Sequence, residues 1–136
     1  MREPVFTKFM VNCAINPIGA LTGLRNGQIL ESDELLWLQS AIIHEVTQIA
    51  SILGVPLIQD NGIETTKNVC KLTFQNRNSM LQDLLAGKST EIEFLNGMLV
   101  QLANQHGFAA PVNRIITALI HGVEKSGIYQ SGGKQK

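Results

Sequence analysis

The sequence has no glycine-rich phosphate cradle: no GxGxxG follows a strand-like run, and no GxxxxGK[ST] occurs. Such loops gather backbone N–H groups around a nucleotide's phosphates, so the usual route to a dinucleotide is closed to this chain on its own. Charge is sparse. Only 16% of the 136 residues are charged, and eleven basic side chains balance eleven acidic ones. A net charge of zero leaves no electrostatic footprint for nucleic acid or an anionic membrane. Cysteine is limited to Cys13 and Cys70, each isolated among apolar residues with no CxxC. They read as buried thiols in a reducing cytosol rather than as a disulfide. Neither has an obvious partner base, and no Ser-His-Asp arrangement can be read, so no activated nucleophile is expected. His44, His106 and His121 have no metal-ligand spacing, and no metal site is expected. No basic-then-apolar leader opens the sequence, and residues such as His44 and Glu45 interrupt its apolar segments. The expectation is a soluble cytoplasmic domain.

Strand-like alternation is scarce too, while helical spacing recurs throughout. With 44% apolar residues in 136, the chain has room for one domain with a real core. A first helix is expected from Pro4 to about Ile15, broken at Asn16-Pro17, with a short second helix from Pro17 to about Leu24. Asn26-Gly27 reads as a turn. Ser32, Asp33 and Glu34 open the clearest helix, Asp33 to Leu53, which Gly54 stops. A polar loop from Gln59 to Glu64 should precede a helix from Thr65 to Gln75. Two capping boxes, Ser79 with Gln82 and Thr90 with Glu93, predict a helix ended by Gly87 and another from Glu91 to His106. Pro111 begins a last helix to about Lys125, and residues 129–136 read as a flexible tail. The expected fold is an all-α compact bundle of six to seven helices.

Within this apolar background a few polar residues stand out. Lys8, Asn12 and Asn16 recur every four residues, so on a helix they line one face with a drift of about 40° per step. That stripe is either an ordinary wet edge or an edge that faces something specific. Asn76 and Ser79 lie in a short polar connection, where asparagine suits a loop and serine a helix cap. Glu91 has only a weak dipole role beside Glu93. A lysine, several carboxamides, a hydroxyl and a carboxylate together suit a small oxygen-rich anion or keto acid. Amides and hydroxyls pair with its oxygens, and an ammonium donates to a carbonyl as charge develops there.

Three runs, KFMVNCAINPIGALTGLRNG, NSMLQDLLAGKSTEIEFLNG and HGFAAPVNRIITALI, resemble the C-terminal domain of the ketopantoate reductase (2-dehydropantoate 2-reductase) family, from about Phe6 to Ile120. The specific signatures are K-x3-N-x3-N-P, S-M-x-Q-D and T-E-I-x-x-L-N-G. The resemblance implies a helical domain like that of 6-phosphogluconate-dehydrogenase-like reductases. In the family it is joined to an N-terminal Rossmann domain that binds NADPH, and that domain is absent from this chain. It implies reduction of 2-dehydropantoate to pantoate on the way to pantothenate and coenzyme A. By resemblance Lys8 falls on the catalytic general acid. Asn12, Asn16, Asn26, Asn76 and Ser79 fall on the substrate-binding set, and Glu91 falls on a residue at the cofactor side of the cleft. Phe6 departs from the tryptophan of many members. The expectation is a substrate-side domain over residues 1–128, in a homo-oligomer, with no NADP(H) bound and no activity by itself. The alternatives are a non-catalytic dimerisation or binding module, and a reductase half acting on another branched 2-keto acid.

Overall fold

The computed structural model describes residues 3–130. Within them lie seven α-helices and no strand. They are α1 (Glu3–Thr22), α2 (Asn26–Ile29), α3 (Asp33–Ile52), α4 (Gln59–Leu72), α5 (Ser79–Leu85), α6 (Asn96–Gln105) and α7 (Pro111–Ser126), with a 3-10 turn at Ile92–Phe94 before α6. The all-α expectation is met. No helix among the described residues is long and apolar enough to cross a membrane.

Helix α1 is the axis of the bundle. Its sequence is apolar on nearly every side, and such a helix must be surrounded. It packs against α3, α4, α5 and α7. Phe6, Met10, Cys13, Ala14 and Ile18 are sealed from solvent, and Ile42, Ile43, Val46, Ile92, Leu99 and Ile120 close around them. Phe6 and Phe9 meet edge to face at 5.6 Å between ring centroids. Each fully buried side chain of this size contributes about 1.5–3 kcal/mol.

Helix α3 begins as expected: the Ser32 hydroxyl accepts from the Leu35 N–H at 3.2 Å, and Asp33 and Glu34 occupy the first turn. Several other expectations are corrected. There is no break at Asn16-Pro17 and no separate helix from Pro17 to Leu24, because α1 runs unbroken through Pro17. Pro17 has no N–H for the Cys13 carbonyl four residues back. The Asn96 side-chain amide donates to that carbonyl instead, at 3.1 Å.

Helix α4 starts at Gln59 rather than Thr65, with Asn61-Gly62 inside it. A Cβ on Gly62 would lie 2.8 Å from the Met10 thioether, so the glycine serves the approach of α4 to α1. The helix stops at Leu72 because the chain beyond is committed elsewhere. Phe74 O accepts from Gly27 N and Asn76 O from Asn26 N, each at 2.9 Å. Asn26-Gly27, expected as a turn, opens the one-turn α2.

Neither capping box forms. Asn78, not Ser79, caps α5, accepting from the Leu81 N–H at 2.9 Å, and Gln82 donates to the Arg77 carbonyl. Thr90 donates from both its N–H and its hydroxyl to Glu124, at 2.8 Å each, while Glu93 bonds His121. The expected Glu91–His106 helix therefore shrinks to α6, which starts at Asn96. Of the expected tail, Tyr129 donates to the Ala20 carbonyl (2.6 Å), and Gln130 donates to the carbonyls of Leu84 (3.0 Å) and Leu85 (2.7 Å). The remainder of the tail lies outside the described residues.

Candidate functional site

Most positions of α1 between Phe6 and Ala20 are buried. The polar stripe interrupts that burial. Lys8 is exposed, and Asn12 and Asn16 are half-buried on the following turns. A rise of about 1.5 Å per residue spreads the three over about 12 Å of helix. Their side chains make no hydrogen bond among the described residues. One ammonium and two carboxamides are thus held on a rigid support with their bonding capacity free.

Asn78 brings a second segment to this stripe. Its Nδ2 donates to the Asn16 carbonyl at 3.1 Å and more weakly to Ile15 at 3.5 Å, while its Oδ1 caps α5. Such close approach needs a bare helix surface. An ideal Cβ on Gly19 would fall 2.2 Å from the Asn78 amide nitrogen. Ser79, exposed and first in α5, therefore begins beside the turn that carries Asn16.

Asn76 and Asn26 join through the main chain, as described above. Asn26 is buried and donates from Nδ2 to the Thr73 hydroxyl at 3.0 Å, leaving its Oδ1 buried without a partner. Its amide nitrogen thus ties α2 to the end of α4. The Arg25 guanidinium adds a bond to the Gln75 carbonyl at 2.6 Å, and the Phe74 ring lies where a Cβ on Gly27 would be.

These contacts gather Asn16, Asn26, Asn76 and Ser79 around the C-terminal half of α1. Lys8 and Asn12 share the helix face but are not bonded to that group among the described residues. Glu91 is exposed immediately before the 3-10 turn, and no hydrogen bond ties it to the stripe. Its neighbours are clamped. His121 lies between Glu93 and Glu124, bonded to the former through Nε2 and to the latter through Nδ1 at 3.0 Å. The hydrogen bond that the imidazole donates to Glu93, then that to Glu124, pushes its pKa up. Burial alone would raise the Glu124 carboxyl, but the Thr90 N–H, the Thr90 hydroxyl and His121 together bring it below its usual value. Cys13 is sealed, and burial pushes its thiol far up; burial also raises Cys70, against a weak bond from Gln39.

Two residues at this site are absent from the sequence reading. Asn78 could have been weighed as a cap equal to Ser79. Asn96 carried no local signal beyond its place in the L-N-G run. Lys8, Asn12 and Asn16 line none of five surface cavities found among the described residues. The stripe is an open surface able to form one wall of a cleft.

Residues 1–124 match the family model for the ketopantoate reductase PanE/ApbA C terminal. The chain is 36% identical over 120 residues to the 2-dehydropantoate 2-reductase of Archaeoglobus fulgidus, covering 88% of this chain and 40% of that protein. A PanE/ApbA family ketopantoate reductase from Ralstonia eutropha JMP134 superposes with a TM-score of 0.85 at 27% identity, covering 92% of this chain and 42% of that one. A D-mandelate dehydrogenase solved with NADH shares the fold, with a TM-score of 0.87 at 21% identity over 91% of this chain and 42% of that one. The chain spans about two fifths of the length of the curated relatives it matches.

Proposed function

Since the chain belongs to the ketopantoate reductase C-terminal family, we propose that residues 1–128 form the substrate-side half of a nicotinamide-dependent 2-keto acid reductase. The substrate is 2-dehydropantoate and the coenzyme NADP(H). The carrying observation is the open Lys8–Asn12–Asn16 stripe on a helix buried elsewhere, with Ser79 held beside it through Asn78.

In this reading the Lys8 ammonium points its N–H at the ketone oxygen. It stabilises the charge that builds there and delivers the proton that completes the alcohol. Asn12, Asn16, Asn76 and Ser79 hold the keto acid's carboxylate and hydroxyl, and Asn26 supports the loop bearing Asn76. Bound coenzyme supplies the hydride. On this chain the residue suited to it is Glu91, an exposed carboxylate able to accept from a carboxamide or a ribose hydroxyl. An N-terminal nucleotide-binding partner and a homo-oligomer belong to the same proposal.

The test is a chimera of this chain with the remaining N-terminal part of the Archaeoglobus fulgidus relative, assayed for ketopantoate-dependent NADPH oxidation. The chimera should turn over and the chain alone should not. Lys8→Ala in the chimera should cut turnover by about 10²–10⁴. Undiminished turnover by that variant, or turnover by the chain alone, would overturn the assignment.

A further inference from the structure

We infer that Asn96 is a positioning residue for the Lys8–Asn12–Asn16 stripe: its side-chain amide replaces the main-chain donor that Pro17 removes. The Cys13 carbonyl lies between Asn12 and Asn16 in the helix and is buried with its residue. Without an N–H on residue 17 it would be an unpaired acceptor at the centre of the bundle, where a proline normally kinks or ends a helix. A break there would turn Asn16 off the face it shares with Lys8. The carbonyl is bonded and α1 continues.

The direction of the hydrogen bonds is fixed at both ends. The Cys13 carbonyl only accepts. Asn113 donates from Nδ2 to Glu45 Oε1 at 2.8 Å and to the Ile42 carbonyl at 3.5 Å, which turns its Oδ1 toward Asn96. Asn96 Nδ2 therefore uses both its hydrogens, one on Cys13 at 3.1 Å and one on Asn113 at 2.9 Å. Glu45 in turn accepts from the N–H groups of Val112 (3.0 Å) and Asn113 (2.9 Å) and so caps α7.

Asn96 retains this place at a cost. It is fully buried, and its Oδ1 has no partner. An apolar side chain of similar shape would carry no stranded acceptor. The two donors are therefore what the site requires, and one of them serves α1.

This inference rests on the proposed function only for what the stripe does, so its primary test is made on the chain itself. In the unsubstituted chain, a scalar coupling across the hydrogen bond should link the Asn96 side-chain nitrogen to the Cys13 carbonyl carbon by NMR. Its absence from an otherwise well-resolved spectrum would overturn the bond. A double-mutant cycle with Asn96→Ala and Pro17→Ala then reads the replacement. Alanine at 17 restores the N–H, so Asn96→Ala should shift the unfolding constant less in that background, by about tenfold. The side-chain amide resonances of Asn12 and Asn16 should move in Asn96→Ala and return in the double variant. Additive costs, or amide resonances that stay displaced, would overturn the positioning role. In the chimera, Pro17→Ala should likewise restore kcat lost in Asn96→Ala; a loss of activity from Lys8→Ala tests the other reading and does not bear on this one.

Discussion

Gly19→Ala gives the sharpest test of how the site is assembled. In a helix interior an added methyl ordinarily stabilises by about 1 kcal/mol. At Gly19 the new Cβ would meet the Asn78 amide nitrogen at 2.2 Å. That nitrogen can retreat only by rotating the amide, which also pulls Oδ1 off the Leu81 N–H. The bond to the Asn16 carbonyl is worth about 1 kcal/mol, and the α5 cap about another. Set against the propensity gain, the net is a loss of about 1 kcal/mol. Gly122 in α7 is the matched control, since a Cβ there meets nothing within 4 Å. Gly122→Ala should gain about 1 kcal/mol. The two alanines should therefore differ by about 2 kcal/mol, a gap of roughly 4–8 °C in Tm for a chain of this size. Thermal and urea melts of the two variants beside the parent chain measure it. If both stabilise equally, Asn78 does not weld α5 to α1.

Two further outcomes follow from the buried and half-buried charges. Glu45→Gln leaves one acceptor for three donors and sets an amide N–H against the first N–H groups of α7. It should cost about 2–3 kcal/mol in a urea titration, and a loss under about 0.5 kcal/mol would show that the cap is dispensable. The His121 clamp should make stability pH-dependent. The raised imidazole pKa adds stability that is complete below the unfolded value of 6.5 and fades as pH rises through the folded one. The lowered Glu124 carboxyl adds stability that is present above 4.5 and lost as pH falls through its folded value. Parent and His121→Ala melts should therefore diverge most between 4.5 and 6.5 and converge in mild alkali. The difference is on the order of half a kcal/mol for so exposed a pair, and an unchanging difference across pH would refute it.

What could be read from the sequence was local. Ser32 with its acidic first turn marks α3, Pro111 marks α7, and four-residue spacing marks the stripe, because each depends on neighbours within a few residues. The misses all involve a distant partner. Pro17 looks like a breaker until Asn96, 83 residues beyond Cys13, supplies the missing donor. Gln59 to Glu64 reads as a polar loop because nothing nearby announces Met10. Thr90 and Glu93 read as a good capping box, yet Glu124 and His121, 34 and 28 residues away, engage the two side chains instead of each other's backbone. Between Asn78 and Ser79 local preference is nearly even. What decides is an amide that can cap α5 and still reach α1 across the bare Gly19. Lys8 and Glu91, exposed and without side-chain hydrogen bonds among the described residues, rest on the family resemblance as much as on geometry.

The Cys13–Asn96 bond also has a consequence in time. A helical rung normally closes over four residues and needs no more of the chain than one turn. This rung must close a loop of 83 residues, and such closure is slower and entropically dearer than a local turn. The Cys13 carbonyl, facing Pro17, gains its donor only once α6 has docked. The Cys13 rung of α1 is thus completed only when α6 docks, and the alignment of Lys8 with Asn16 depends on the bundle closing around it.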